Sequence, residues 1–520
     1  MLRVEREVRR LEGMSQLAFG FDRDASADER LLASDDQLFL DPEPHDLFVG
    51  AQRLERYLID NDLAWVVRLA AVLKELDYSA LVGAYSVAGR RALHPRVILG
   101  LVVYGILSRQ WSLRELEALA RRDVGAWWIC GGHQPDHSTI GKFIQLHAEI
   151  LNEEFFVALV KTLTARLHLA PGTVAGDGTV IEAAASRYRS VRAEALMAAA
   201  REEKAAAEAN PAEPQLARKA QLADQAAALV KERMRERRWR MPGKTELSPI
   251  EPEAVLQPRK DGVSRPSYKP IAMVHESGII VGHHLDPSNE RAAIEPMLDQ
   301  HKAAFGRLPL TLLLDAGFAS NSLLEFLAAA EVDILCPTGR ADGDDNWERR
   351  QRRDNGFRKQ AFRYVAELDV YRCPADRELV FSHCGADSHG RRYARYRGTR
   401  CKDCPVREHC TTDRDGRTLK RYVGEELKEL MAEVLTQPAA RAKYRCRAAI
   451  VEPFFAELRE RQGLKRFHRR GLKSVRVEFA LHCIAFNLKK AVASLLASFS
   501  HKLCWLLQPD KMLQIVSAVS

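Results

Sequence analysis

Two long stretches that fit neither a strand nor a sheet-covering helix interrupt an otherwise regular α/β pattern, and this interruption constrains the chain more than any other feature of its sequence. TVAGDGTVIEA, from Thr173, reads as a strand ending in Asp-Gly and bounded by Pro171 and Gly172. KPIAMVHE and GIIVGHHLD read as strands around the turn Ser277-Gly278. AAIEPMLDQHKAAF is then helix, LTLLLDAGFAS a buried strand, NSLLEFLAAAE a helix and VDILCPT another strand. Between the first strand and the hairpin, residues 190–238 are rich in Ala, Glu, Arg and Lys without a sustained apolar heptad. Pro211 and Pro214 split this stretch into two helices, a solvated hairpin inserted into the domain. Residues 339–437, rich in Arg, Asp and Cys, form a second interruption. Strand, hairpin, helix, strand, helix, strand is a mixed α/β order, so the expected core is discontinuous.

The flanks are helical. From 48 to 168 the pattern holds throughout, with Pro95 near a helix start, Ser112 and Glu115 spaced as a capping box, and Asp136 or Ser138 as a further cap. Two of these helices joined by a short loop could read DNA; plain bundle packing with Trp127 and Trp128 as core explains them equally well. Residues 1–47 read as a loose acidic arm, and since residues 1–13 look no more structured than the rest, Met14 is an alternative start. The expected units are 1–47, an all-α domain at 48–168, a first catalytic part at 169–338 with its helical insert at 190–240, the Cys-rich insertion at 339–437, and a basic helical part at 438–507. At 520 residues, two or three domains are expected.

The apolar run Val97–Leu107 is about half the length of a membrane span, and Lys489 and Lys490 interrupt the longer C-terminal run. With no basic-then-apolar leader, the expected location is the cytoplasm, where the ten cysteines stay free of disulfides. A net charge of +9 suits a polyanionic partner.

Asp177 and Asp315 each sit where a strand stops, Asp315 after the run Leu312, Leu313, Leu314, with Gly178 and Gly317 leaving space nearby. Paired strand-end carboxylates are hard oxygen donors of the kind Mg²⁺ requires, although Asp-Gly at a strand end is more often a turn. The third candidate is Glu452. Arg445, Glu452 and Arg459 are spaced by seven and share a helix stripe, combining oxygen for a metal with guanidiniums for a phosphodiester. Pro453 makes a helix start the plainer reading of that acid, and Glu457 and Glu478 are rivals by pattern.

GDGTVIEA, LLLDAGFAS and YRCRAAIVEPFFAELRE, followed by GLKRFHRRGLKSVRVEFALHCIAFNLKK, resemble the catalytic segments of insertion-sequence transposases of the acidic-triad (DDE) superfamily. HPRVILGLVVYGILSRQWSLRELEALARRD is similar to the N-terminal domain of its IS-five-like, IS-eleven-eighty-two type branch. The resemblance spans roughly 48–490. It implies a ribonuclease-H-like α/β catalytic core with helical and cysteine-bearing insertions, and Asp177, Asp315 and Glu452 as the catalytic metal triad. It also implies two Mg²⁺ ions, with Mn²⁺ able to substitute, and phosphoryl transfer without a covalent protein intermediate. The implied partners are double-stranded DNA, as terminal inverted repeats and target, and a second copy in a homodimer or higher synaptic complex. The implied location is a bacterial cytoplasm at the nucleoid. Tyr444, Arg447 and Glu452 match a family signature by type, but four residues separate Arg447 from Glu452 where the family has three, and Arg459 stands at a Lys position. The alternatives are a Mg²⁺ nuclease of the same fold without strand transfer and a non-catalytic DNA-binding derivative.

Cys401 and Cys404 have the spacing of a metal knuckle, which Cys373 and Cys410 could complete as a zinc site, with His383 and Cys384 as substitutes for one ligand. So polar a loop lacks a core, and zinc would supply the missing folding energy. Cys130, Cys336, Cys446, Cys483 and Cys504 read as core. Residues 441–476 carry twelve basic side chains against three glutamates. Tyr444, Arg445, Arg447, Arg459, Lys465, Arg466, Arg469 and Arg470 are the expected DNA contacts there. RRYARYR at 391–397 reads as a surface loop or a second contact.

Overall fold

A computed structural model describes residues 39–40, 43–85, 91–186, 188, 190–211, 213–237, 246–259, 261–287, 291–337, 357, 359–387, 390 and 392–506. Met14 and most of the acidic arm lie outside the described residues. The arm's last part is structured: Phe39–Leu40 pairs in parallel with Ala92–Leu93, and Phe39 is buried against Tyr85.

The N-terminal helices are α1 (Leu54–Asp60), α2 (Ala64–Lys74), α3 (Ser79–Val82), α4 (Pro95–Leu107), α5 (Leu113–Arg122), α6 (Val124–Cys130), α7 (His137–Leu146), α8 (Ala148–Asn152) and α9 (Glu154–Arg166). Their starts follow local chemistry. Pro95 opens α4, whose missing N–H costs nothing there. Ser112 and Glu115 close both bonds of a capping box on α5, and the Asp136 carboxylate accepts from the Thr139 amide to start α7. Trp128 is buried and Trp127 packs against the same core, so α6 is a packing helix.

The main path of a seven-stranded sheet comprises β1 (Thr173–Gly178), β2 (Ser264–His275), β3 (Ile280–Asp286), β4 (Thr311–Leu313) and β5 (Asp333–Leu335), in the order β3-β2-β1-β4-β5, and the short strands Ile181–Glu182 and Val255–Pro258 also pair with β2. β2 is antiparallel to β3 and β1; β4 is parallel to β1 and β5 to β4. The β2–β3 turn needs Gly278 at φ +83. β1 and β4 close tightly because Gly176 has no Cβ, which would meet the Leu314 side chain at 2.6 Å. Helices α12 (Ile294–Phe305) and α13 (Asn321–Ala329) complete this mixed α/β core, which fits the ribonuclease-H-like expectation.

The two insertions fold on their own cores. α10 (Ala193–Ala209) and α11 (Pro214–Arg237) pack through Leu196, Ala200, Val230 and Leu247, and the flanking strands Val191–Arg192 and Glu246–Leu247 pair at the base of this hairpin. The second insertion is a five-stranded antiparallel sheet: β6 (Arg363–Val365), β7 (Val370–Arg372), β8 (Glu378–Ala386), β9 (Arg392–Gly398) and β10 (Thr418–Tyr422), followed by α14 (Glu425–Val434). The expectation that it lacks a core is corrected, since Phe362, Tyr371, Leu379, Tyr396 and Leu419 form one. RRYARYR is therefore not a surface loop; it contributes β9, whose Tyr393 and Tyr396 are buried. Its charged residues masked the alternation of an ordinary half-buried strand.

The chain ends in α15 (Pro438–Ala456), a π-helical turn (Glu457–Arg461) and α16 (Leu472–Leu506). α16 packs against α2, α4, α8 and β3, so one continuous apolar core runs from Leu54 through the sheet to Val492. Trp111 stacks on His468 at 4.8 Å, fastening the loop before α16 to the N-terminal helices. No helix among the described residues is long and apolar enough to cross a membrane.

Two carboxylates from the segment after the helical hairpin cap α16. The Glu251 carboxylate accepts from the Gly471 amide at 3.4 Å and from Tyr268 Oη at 3.3 Å, while Glu253 accepts from the Leu472 amide. Burial pushes the Glu251 carboxyl up from 4.5 to about 6. A folded-state pKa above the unfolded one means that this group's stabilising contribution is present in acid and lost as pH rises through about 6. Glu251→Gln keeps the acceptor oxygen without the charge. Thermal melts of the variant against the parent should diverge in its favour between pH 4.5 and 6, by at most about 2 kcal/mol; melts that stay parallel would refute the assignment.

Candidate active site

The two strand-end aspartates are brought together by register. Thr311, Leu312 and Leu313 of β4 lie beside Thr173, Val174 and Ala175 of β1 in a parallel pair. Two residues further along each chain come Asp315 and Asp177, on the same face of adjacent strands. Leu312, Leu313 and Leu314 are fully buried and fix the approach to Asp315, which itself is exposed. Asp177 is half-buried, with Oδ1 accepting from the Gly178 amide at 2.8 Å and Oδ2 3.3 Å from Arg447 Nη1. Burial raises the Asp177 carboxyl above its usual value and the Asp315 charge adds to this; the Gly178 amide and the Arg447 guanidinium work against it.

α15 lies over the ends of these strands. Lys443 Nζ donates to Thr311 Oγ1 at 2.6 Å, one helical turn places Tyr444 and Arg447 on the same side, and Val451 is fully buried below them. Tyr444 is half-buried within the fields of Asp315 and Cys336, and burial raises its hydroxyl pKa. Burial alone would lower the Arg447 guanidinium, but Asp177, Tyr444 and Asp315 outweigh it and its pKa is raised. Sequence reasoning missed Cys336, a buried thiol whose S–H donates to the Asp315 carbonyl at 3.3 Å. It also missed Arg259, which donates to the Val180 carbonyl at 2.8 Å and whose charge opposes that of Arg459. No local pattern marks either residue.

Glu452 stands apart from this group. It is exposed on α15, about 140° around the helix from Arg447 at roughly 100° per residue. Among the described residues no group of three His, Cys, Asp or Glu side chains that could hold a metal ion is assembled. The structure thus brings together Asp177, Asp315, Tyr444 and Arg447, and leaves Glu452 outside them. The rivals have other tasks. Glu457 accepts from Lys489 Nζ at 2.6 Å. Glu478 is buried and accepts from the amides of His468, at 2.9 Å and 3.2 Å, and Arg469, at 2.9 Å.

The expected DNA contacts divide. Arg447 is engaged with Asp177, Arg466 donates to the carbonyls of Ala183 and Ala185 at 3.0 Å and 3.2 Å, and Arg469 lies in the field of the buried Glu478. Arg445, Arg459, Lys465 and Arg470 are exposed, with Lys465 3.3 Å from Glu460. Internal bonding of guanidiniums to carbonyls and buried acids is invisible in a count of basic residues.

Cys373, Cys401, Cys404 and Cys410 line one cavity of about 20 Å³. The Cys373 sulfur accepts from the Arg377 amide at 3.3 Å, and burial raises the Cys410 thiol in the company of the other three. The proposed substitutes are corrected: His383 and Cys384 lie exposed on β8 and do not line the cavity. Cys130, Cys336 and Cys483 are buried as expected, whereas Cys446 is exposed on the outer side of α15. The side chain of Cys504 lies outside those described.

Truncating Glu478 should leave the amides of His468 and Arg469 without their acceptor and Arg469 without its counter-charge. Glu478→Ala is expected to destabilise the fold by about 3 kcal/mol, read as a lowered denaturation midpoint; an unchanged midpoint would return Glu478 to the list of candidate catalytic acids.

A family model described as a transposase DDE domain matches residues 372–492, and one described as a transposase domain (DUF772) matches residues 53–146. The first covers β8 to β10 of the insertion sheet, α14, α15 with Glu452, and most of α16; the second covers α1 to α7. No curated protein matches the chain. A mixed core with paired strand-end acids, carrying these two matches at its helical start and catalytic end, makes the chain an insertion-sequence transposase of the DDE type.

Proposed function

We propose that this transposase binds the terminal inverted repeats of its element and, with Mg²⁺, cleaves DNA strands and transfers them to a target. The observation that carries this reading is the in-register pair Asp177 and Asp315 at adjacent strand ends. Their hard oxygens fit Mg²⁺, or Mn²⁺ in its place, and the mutual repulsion of two carboxylates held side by side is what a bound cation relieves. The metal, when bound, would polarise a phosphoryl oxygen and lower the pKa of a bound water.

The chain's own groups do the rest. Arg447 holds the Asp177 carboxylate in place, and Tyr444 braces Arg447 and faces Asp315. Glu452 is the third proposed metal ligand. It lies seven residues before Arg459, which lies within the field of Asp177. Arg445, Arg459, Lys465 and Arg470 are the exposed cations left to hold the DNA backbone. Two ends must be joined, so the working form is a homodimer or higher synaptic assembly. A structural Zn²⁺ in the insertion rests on the knuckle spacing of Cys401 and Cys404; the four thiols line one small cavity but, among the described residues, are not assembled as a metal-holding group.

Purified protein incubated with the flanking DNA ends and Mg²⁺ should give nicked and joined products. Asp177→Ala and Asp315→Ala should each abolish them, by at least about 10³-fold, while leaving DNA binding intact; cleavage retained by Asp315→Ala overturns the assignment. Glu452→Gln should behave like the two aspartate variants, and full activity in it would remove that residue from the site. Metal analysis of the purified chain should find about one zinc per molecule, and a zinc-free, folded protein would end that part of the proposal.

A further inference from the structure

The second insertion presents a charged surface that the acid pair does not use. Along β8, Leu379 and Phe381 face Gly398 and Tyr396 of β9, on the side of the insertion's own core. Simple alternation would send His383 to the same side. A bulge intervenes: Ser382 is left without a partner, and His383 falls opposite Arg395 instead. Arg395 in turn lies opposite Lys420 of β10. The extra residue thus aligns three basic side chains, His383, Arg395 and Lys420, in one row across three neighbouring strands, spanning about 10 Å at roughly 4.8 Å per strand.

Like charges directly opposite one another destabilise a sheet, and the row itself contains no carboxylate to offset them. Among the described residues neither Arg395 nor Lys420 forms an ion pair, and Arg395 Nε is buried without a hydrogen-bond partner. What makes the row tolerable is Tyr393 on the same face. Lys420 Nζ stands 4.2 Å from its ring centroid and the Arg395 guanidinium 5.9 Å, so both cations share one aromatic ring. Gly385 opposite leaves room for that ring, since a Cβ there would lie 2.9 Å from it. A row of cations that is aligned by a bulge, braced by a tyrosine and without an ion-pair partner for Arg395 or Lys420 among the described residues is complementary to a polyanion.

We propose that the outward face of the insertion sheet, the His383–Arg395–Lys420 row beside Tyr393, is a second DNA-backbone contact surface, distinct from the acid pair. The proposal rests on the transposase reading of the chain and gives its insertion a phosphate-holding task. Contacts to phosphate carry no sequence information, so this surface positions the duplex and does not select it.

Binding of the full-length chain to duplex DNA, measured without divalent metal across a range of salt concentrations, separates this surface from catalysis. Arg395→Ala combined with Lys420→Ala should make the slope of log K against log salt shallower by about 2, because each lost phosphate contact removes roughly 0.9. Arg395→Lys, which keeps the charge, should preserve the slope, as should Lys204→Ala with Lys219→Ala on the helical hairpin. An unaltered slope in the folded double variant, or an equal change in the hairpin variant, overturns the proposal. In the unmodified protein, DNA should protect Lys420 from acetylation; undiminished labelling also overturns it, whatever the fate of the variants. A parent chain that binds no DNA removes both this surface and the transposase activity proposed above, whereas parental binding with an unaltered slope in the variant removes the surface alone.

Discussion

Thr311 to Leu313 lies beside Thr173 to Ala175 with every residue matched, and the proximity of Asp177 and Asp315 follows from that match. A slip of one residue would turn one acid to the opposite face of the sheet. The register is held by burial: Val174, Ala175, Leu312, Leu313 and Leu314 have no accessible surface, and Gly176 lets the strands close. The electrostatic cost of two adjacent carboxylates is therefore imposed by the apolar core. Arg447 offsets part of it from a helix that could not pack there unless Val451 and Phe454 were also buried.

That helix belongs to a segment joined to the rest of the molecule at several points. Its π-helical turn is followed by a loop that Trp111 stacks upon, and the next helix is capped by Glu251 and Glu253 from the far side of the hairpin insertion. The N-terminal helices, the sheet and the last helix share one core. The N-terminal helices and the strands that hold the acids are accordingly parts of one mechanical unit, and a disturbance at α4 or α16 is expected to reach the acid pair through packing alone.

Much of this was legible in the sequence. Asp177 and Asp315 could be read because buried parallel strands appear as short apolar runs, and an acid ending such a run stands out. The capping box at Ser112 and the split at Pro211 and Pro214 were legible because they depend on neighbours a few residues away. The insertion sheet was hidden, since its strands alternate tyrosines with arginines and its core is too small to raise the apolar content. The partners of Arg466, Arg469 and Glu478, and the approach of Arg259 to Arg459, depend on residues tens to hundreds of positions apart, for which no local period exists. Glu452 was chosen from its stripe with two arginines. Arg445 and Glu452 are exposed on α15, and Arg459 is exposed on the π-helical turn that follows it.

The strands that enter and leave the helical hairpin, Val191–Arg192 and Glu246–Leu247, pair with one another, so the polypeptide departs from the sheet and rejoins it through a narrow neck. Lengthening what lies beyond that neck adds little to the cost of joining β1 to β2, because loop-closure entropy grows only slowly with length. Descendants of such a chain could lengthen, shorten or replace the hairpin over generations while the acids on either side kept their places.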